Sequence, residues 1–167
     1  GPALVACACV LGILLQWELL QSGSEHPGGA AAELVNRTYH SGHTSYFLVA
    51  VKFVPEDPGE LVRRHAEILP WLRFKANHAS THPPGPVLYY RGLIGLFGAW
   101  PGLTRTCLGA LDLCGIEWRE LPPPRVPPHL RTPAHVAAAL FGAALLGVLA
   151  VLACLPALAV ARLLGLE

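Results

Sequence analysis

Two histidine pairs stand out among the residues able to do chemistry. "HSGH" carries His40 and His43, and "HASTH" carries His78 and His82, at spacings of three and four that let each pair share one face of a helix. Brought together, the four imidazoles would make a ligand set for a divalent metal. Neither cluster contains the Asp or Glu that usually accompanies such ligands, and His82 runs directly into Pro83 and Pro84. The same histidines therefore also fit a polar interface role, and the sequence requires no cofactor. Cys107 and Cys114 could join as a disulfide on an oxidising face. Cys7, Cys9 and Cys154 sit in apolar runs and read as small hydrophobes.

The surroundings of these residues are those of a membrane chain. Hydrophobic residues make up 53% of the sequence and charged ones 14%, and the mean hydropathy is +0.44, which favours lipid over water as the first solvent to consider. The net charge of +1, with bases scattered among nearly as many acids, leaves no footprint for nucleic acid. The chain begins at Gly1 and has no methionine, so it reads as an internal piece of a longer polypeptide.

A bilayer span needs roughly 20 apolar residues. Residues 134–161 carry no Asp, Glu, Lys or Arg and follow "RTP", where Thr132 can cap and Pro133 can take the first helical position, so they are expected to form a transmembrane helix kinked at Pro156. Residues 1–20 form a second expected span, with Trp17 and Glu18 near its end; a signal peptide is the alternative, without a basic start or a small-residue cleavage site to support it. Residues 21–133 would then lie together on one side, and 162–167 would begin a cytoplasmic loop. The expected fold class is thus all-α integral membrane, with two transmembrane helices flanking an extracytoplasmic insert of juxtamembrane amphipathic helices.

Within the insert, helices are expected at about 44–54, 58–74, 85–99 and 104–118, with a proline-rich spacer over 121–133. Asp57, Pro58 and Glu60 make a capping-box start for the second of these. The third, "PVLYYRGLIGLFGAW", is interrupted by Arg91, and a charge at the bilayer centre costs about 2.5–3.5 kcal/mol on insertion scales. That helix is expected to lie in the interface, with Arg91 reaching headgroups or water and Leu88, Leu93, Leu96 and Phe97 facing the acyl boundary.

The order of a first span, an insert, "HPP" followed by "LYYRGLIGLFG", and a span ending "LLGVLAVLACLPALAVARLLG" resembles the N-terminal part of the GT-C class of membrane glycosyltransferases that use polyprenyl-phosphate sugars. That group holds the protein O-mannosyltransferases and the aminoarabinose lipid A transferases. The resemblance covers most of the chain in order, with "LPPPRVPPH" as an insertion. It implies transfer of a sugar from a polyprenyl-phosphate donor to a lipid, glycan or protein acceptor, membrane lipid as the other partner, and a bacterial inner (plasma) membrane location. Some of these enzymes bind a divalent metal near the donor phosphate.

Members of that class place "DExxY" in the first extracytoplasmic loop, where a carboxylate deprotonates or positions the acceptor hydroxyl. Here the corresponding stretch is "SGHTSYF". Tyr46 matches the tyrosine and would bind substrate, but Gly42 and His43 stand where the acids would be. A general base needs a pKa near the working pH, which His43 would supply. Glu33 and Glu18 are the alternative bases, as is a residue beyond Glu167. His82 would sit at the mouth of the cavity, and Arg63, Arg64, Arg73 and Lys75 are candidates to hold the donor phosphate. Headgroup attraction or solvation explains the same basic residues equally well. The competing reading of the whole chain is a non-catalytic scaffold or transporter fragment with lipid-docking helices.

Overall fold

The computed structural model describes residues 2–24, 29–40, 46–52, 57–67, 83–123, 126–153, and 156, 160, 163 and 164. Among them the chain is all-helical: α1 is Pro2–Ser22, α2 Gly29–Tyr39, α3 Tyr46–Lys52, α4 Pro58–Arg63, α5 Gly85–Ala99, α6 Pro101–Leu113 and α7 Pro133–Leu152, with a 3-10 turn at Pro128–Leu130.

The helix ends follow local chemistry. At α4, Asp57 accepts a hydrogen bond from the Gly59 amide at 2.8 Å, and Pro58 occupies the first helical position, where its missing N–H costs nothing. Glu60 turns away from the cap to Arg64, so the box is half made. Helix α6 starts at Pro101, earlier than the expected 104, and stops at Leu113, short of 118. The stop is a Schellman ending: Gly115 takes φ +74°, its amide bonds to Asp112, and the Ile116 amide reaches back to Leu111 at 2.9 Å. Only glycine takes that φ without strain. Cys107 and Cys114 lie seven residues apart along this helix, roughly 10 Å by helical rise, too far for the disulfide their spacing suggested; both are free thiols.

The packing centres on α7. Helices α1, α2, α5 and α6 all contact it, and Val136, Ala137, Ala138, Ala139 and Leu140 are buried on every side. Three consecutive alanines let α2, itself alanine-lined at Ala30, Ala31 and Ala32, come close. Phe47, Val35 and Val49 are fully buried beside them, each burial being favourable by about 1.5–3 kcal/mol. The second half of α7 differs: Leu145, Leu146, Leu149 and Leu152 are exposed. Helix α1 exposes Val10, Leu11, Leu14, Leu15 and Leu19 and touches α7 where Gln16 meets Gly147.

Among the described residues one helix, over Pro133–Ala150, is long and apolar enough to cross a membrane. In α1 the corresponding apolar stretch, Cys9–Ser22, is shorter.

Helix α5 does not float as expected. Val87, Tyr90 and Phe97 are buried in the core, and Leu93 packs into the gap at Gly142. The assignment of Phe97 and Leu93 to an acyl-facing side is therefore corrected; aromatic packing against α3 and α7 claims that face, and Leu96 remains exposed. The contacts of α5 fix its position. Tyr89 donates to the Gly142 carbonyl at 2.9 Å, Tyr90 and Leu93 abut Gly142, and Phe97 meets Phe141 with ring centroids 6.1 Å apart. These contacts seat α5 on Phe141 and Gly142 of α7, and Arg91 lies nearer His135 at the start of that helix.

Candidate functional site

An aromatic wall leads to the start of α7. Phe47 stacks edge-on to Tyr39 at 4.7 Å, to Tyr90 at 5.6 Å and to the His135 ring at 6.3 Å. Tyr39 donates to the Leu130 carbonyl at 2.7 Å, tying α2 to the 3-10 turn that leads into α7. Tyr90 shares a hydrogen bond with the Thr38 hydroxyl.

Burial raises both phenols: Tyr39 far above its ordinary value, opposed in part by the Arg131 charge, and Tyr90 up to about 12. A folded-state pKa above the unfolded value of 10 favours the folded state below pH 10, and that contribution is lost as pH rises through about 12. Stability measured by denaturant titration is therefore expected to be insensitive to these tyrosines from pH 6 to 9 and to fall between about pH 10 and 12; Tyr39→Phe with Tyr90→Phe should flatten that fall. An unchanged alkaline limb in the double variant would show that the rings do not report on folding.

Beyond the wall stand Arg91 and two histidines, His129 and His135. Arg91, half-buried on α5, reaches the Ala50 carbonyl at the end of a long 3.5 Å contact, and Arg91 and His129 both lie within electrostatic reach of His135. Among the described residues no carboxylate pairs with Arg91. Thr132 caps α7, its hydroxyl 2.7 Å from His135 Nδ1 and accepting from the His135 amide at 3.4 Å. Proline at the next position leaves the helix start unencumbered, and the macrodipole adds partial positive charge there. Arg91, His129, His135 and the first turn of α7 gather beside the aromatic wall, a set of donors suited to an anion with an apolar or sugar portion.

The structure does not bring the expected site residues together around this cluster. Tyr46 opens α3, next to Phe47; it is partly buried, and burial raises its phenol. Glu33 is held by Arg37 one helical turn on, at 2.6 Å, with its side chain 16% exposed. Glu18 is exposed on α1. Arg63 pairs with Asp57 at 3.3 Å, and Arg64 with Glu60 and Glu67 at 2.8 and 2.9 Å, all at the surface. Their charge is locally answered. His43, His78, His82, Arg73 and Lys75 lie outside the described residues, whereas His40 follows α2 directly. Among the described residues no three His, Cys, Asp or Glu side chains gather as a metal site, and three of the four imidazoles of the expected cluster lie outside them.

Sequence reasoning took Arg91 for a topological signal and did not single it out as a candidate anion-binding residue. The signal was present: its helical neighbours at three and four residues are Val87, Leu88, Ile94 and Gly95, with no acid among them, whereas Arg63 and Arg64 have Glu60 and Glu67 at those spacings. No family model, curated protein or solved structure matches the chain significantly.

Proposed function

We propose that this chain forms the membrane-anchored part of a glycosyltransferase that takes its sugar from a polyprenyl-phosphate donor. The observation that carries the reading is the cluster of Arg91, His129 and His135 at the start of α7, a helix whose first exposed leucine, Leu145, follows His135 by about 15 Å of helical rise. A lipid-linked sugar phosphate has the same division: an anion and a sugar at the surface, and a hydrocarbon chain below it. A guanidinium and imidazole N–H groups at a helix start suit the phosphate. Exposed leucines on α7 suit the prenyl chain and the bilayer. His43, outside the described residues, keeps its role as the proposed general base, with Glu33 and Glu18 as the alternatives. Glu33 is the more sheltered of these two, and its carboxylate is already engaged by Arg37.

The topology proposed with this function has α1 and α7 as two antiparallel spans, residues 21–133 on the outer face, and α5 lying across the membrane normal. Its test is labelling with a membrane-impermeant maleimide in a cysteine-free background. Arg37→Cys and Glu120→Cys, both exposed, should react from the same side of sealed vesicles, and Arg162→Cys from the other. Opposite accessibility of Arg37→Cys and Glu120→Cys would mean that the chain crosses between them and that the proposed topology is wrong. Donor binding is tested separately by titrating a polyprenyl-phosphate sugar into the reconstituted protein; binding lost with free polyprenol in place of the phosphate is the expected outcome, and equal binding of both would remove the Arg91 cluster from the account.

A further inference from the structure

We propose that the corner joining α5 to α6 is a lipid-seated anchor, in which Leu96, Trp100 and Leu103 sink into the boundary between headgroups and acyl chains beside α7. This rests on the reading of α7 as a membrane span, and it adds a specific point of contact that holds α5 at a fixed height.

The corner is rigid. The Trp100 amide bonds to the Leu96 carbonyl at 3.0 Å, and the Trp100 carbonyl accepts from the Thr104 amide at 3.1 Å. Buried Thr104 sends its hydroxyl to the Phe97 carbonyl at 2.6 Å, with the Trp100 carbonyl 3.3 Å away, so the turn is clasped from inside. Its outside is apolar and bare: Trp100 is 63% exposed, Leu96 40% and Leu103 36%. A rigid indole held away from the core beside two leucines is an unfavourable surface to present to water.

The position of the corner identifies what covers it. Phe97, one turn before Trp100, contacts Phe141 on α7. Leu145 and Leu146, the first exposed leucines of the candidate span, follow Phe141 by four and five residues, about 6–7.5 Å along the axis. The corner therefore adjoins the level at which α7 leaves its protein packing. Tryptophan belongs at that level of a bilayer, where its ring meets both apolar and polar surroundings. Arg105, exposed one turn into α6, can keep its guanidinium among headgroups while its stem lies along the same face.

The test is depth-resolved quenching of tryptophan fluorescence in vesicles of phosphatidylcholine and phosphatidylglycerol carrying bromines either high or low on the acyl chain. Subtracting Trp100→Phe from the wild-type protein isolates the Trp100 signal, and Leu149→Trp in the Trp100→Phe background supplies a probe on α7. Trp100 should lose roughly half its emission to the shallow bromines and much less to the deep ones, as an interfacial ring does. Quenching by aqueous iodide with none by bromines would overturn the anchor. So would protection from both, because the corner would then be covered by protein, either another segment or a second copy. Leu149→Trp reports on the membrane reading independently: quenched Leu149→Trp with unquenched Trp100 sinks the anchor alone, whereas Leu149→Trp that escapes the deep bromines sinks the span itself.

Discussion

Gly142→Val is expected to destabilise the protein by about 3 kcal/mol, the upper end of the range for overpacking a core. A Cβ at Gly142 would stand 2.7 Å from Tyr90 Cε1 and 2.9 Å from Leu93 Cδ1. The Tyr90 ring cannot step aside, because Phe47 and Tyr89 pack against it and it is 3% exposed. Helix α5 would have to lift from α7, and with it the Tyr89 bond to the Gly142 carbonyl. The contrast lies on the other face of α5. Gly92 and Gly95 meet nothing within 4 Å. Alanine there should stabilise by up to about 1 kcal/mol through helix propensity alone. Denaturant titration of Gly142→Val, Gly92→Ala and wild type checks both signs; a harmless Gly142→Val would mean that α5 does not cross α7 at this residue.

Arg91→Ala is expected to weaken binding of the anionic donor by roughly 10- to 150-fold, the loss of about 1.5–3 kcal/mol that accompanies removal of a hydrogen bond to a charged group. Folding should change little, since among the described residues Arg91 is in no ion pair and its hydrogen bond is the long 3.5 Å approach to the Ala50 carbonyl. Arg91→Lys should recover part of the affinity, because a charge returns without the planar fork. Arg63→Ala and Arg64→Ala serve as comparisons: those guanidinium groups are exposed and paired with Asp57, Glu60 and Glu67, and their removal should leave donor affinity near wild type. The reverse ranking, with Arg63 or Arg64 dominant, would move the phosphate site to α4.

The helical class was legible wherever the signal was local. Asp57 before Pro58 and Thr132 before Pro133 announced two helix starts, and each cap is made by the side chain named for it. Endings were less legible, because a Schellman turn at Gly115 is a backbone event that the apolar spacing of "ALDLCGIEW" masks. The run "HVAAALFG" shows a deeper limit. An all-apolar helix face reads the same whether lipid or protein surrounds it. Here Val136 to Leu140 are enclosed by other helices of the chain, and only the later leucines are bare. The contacts that bring Phe47, Tyr90 and His135 together join residues 88 positions apart from first to last, which no periodicity encodes.

The most direct test of the central claim is transfer of labelled sugar from a polyprenyl-phosphate donor by the full polypeptide carrying this sequence, reconstituted in bacterial lipid. Transfer that depends on the donor phosphate, falls with Arg91→Ala at limiting donor, and is abolished by His43→Ala without loss of folding is the result the account predicts. Folded, correctly inserted protein that transfers no sugar from any such donor, or that turns over at the wild-type rate in Arg91→Ala at limiting donor, would contradict it.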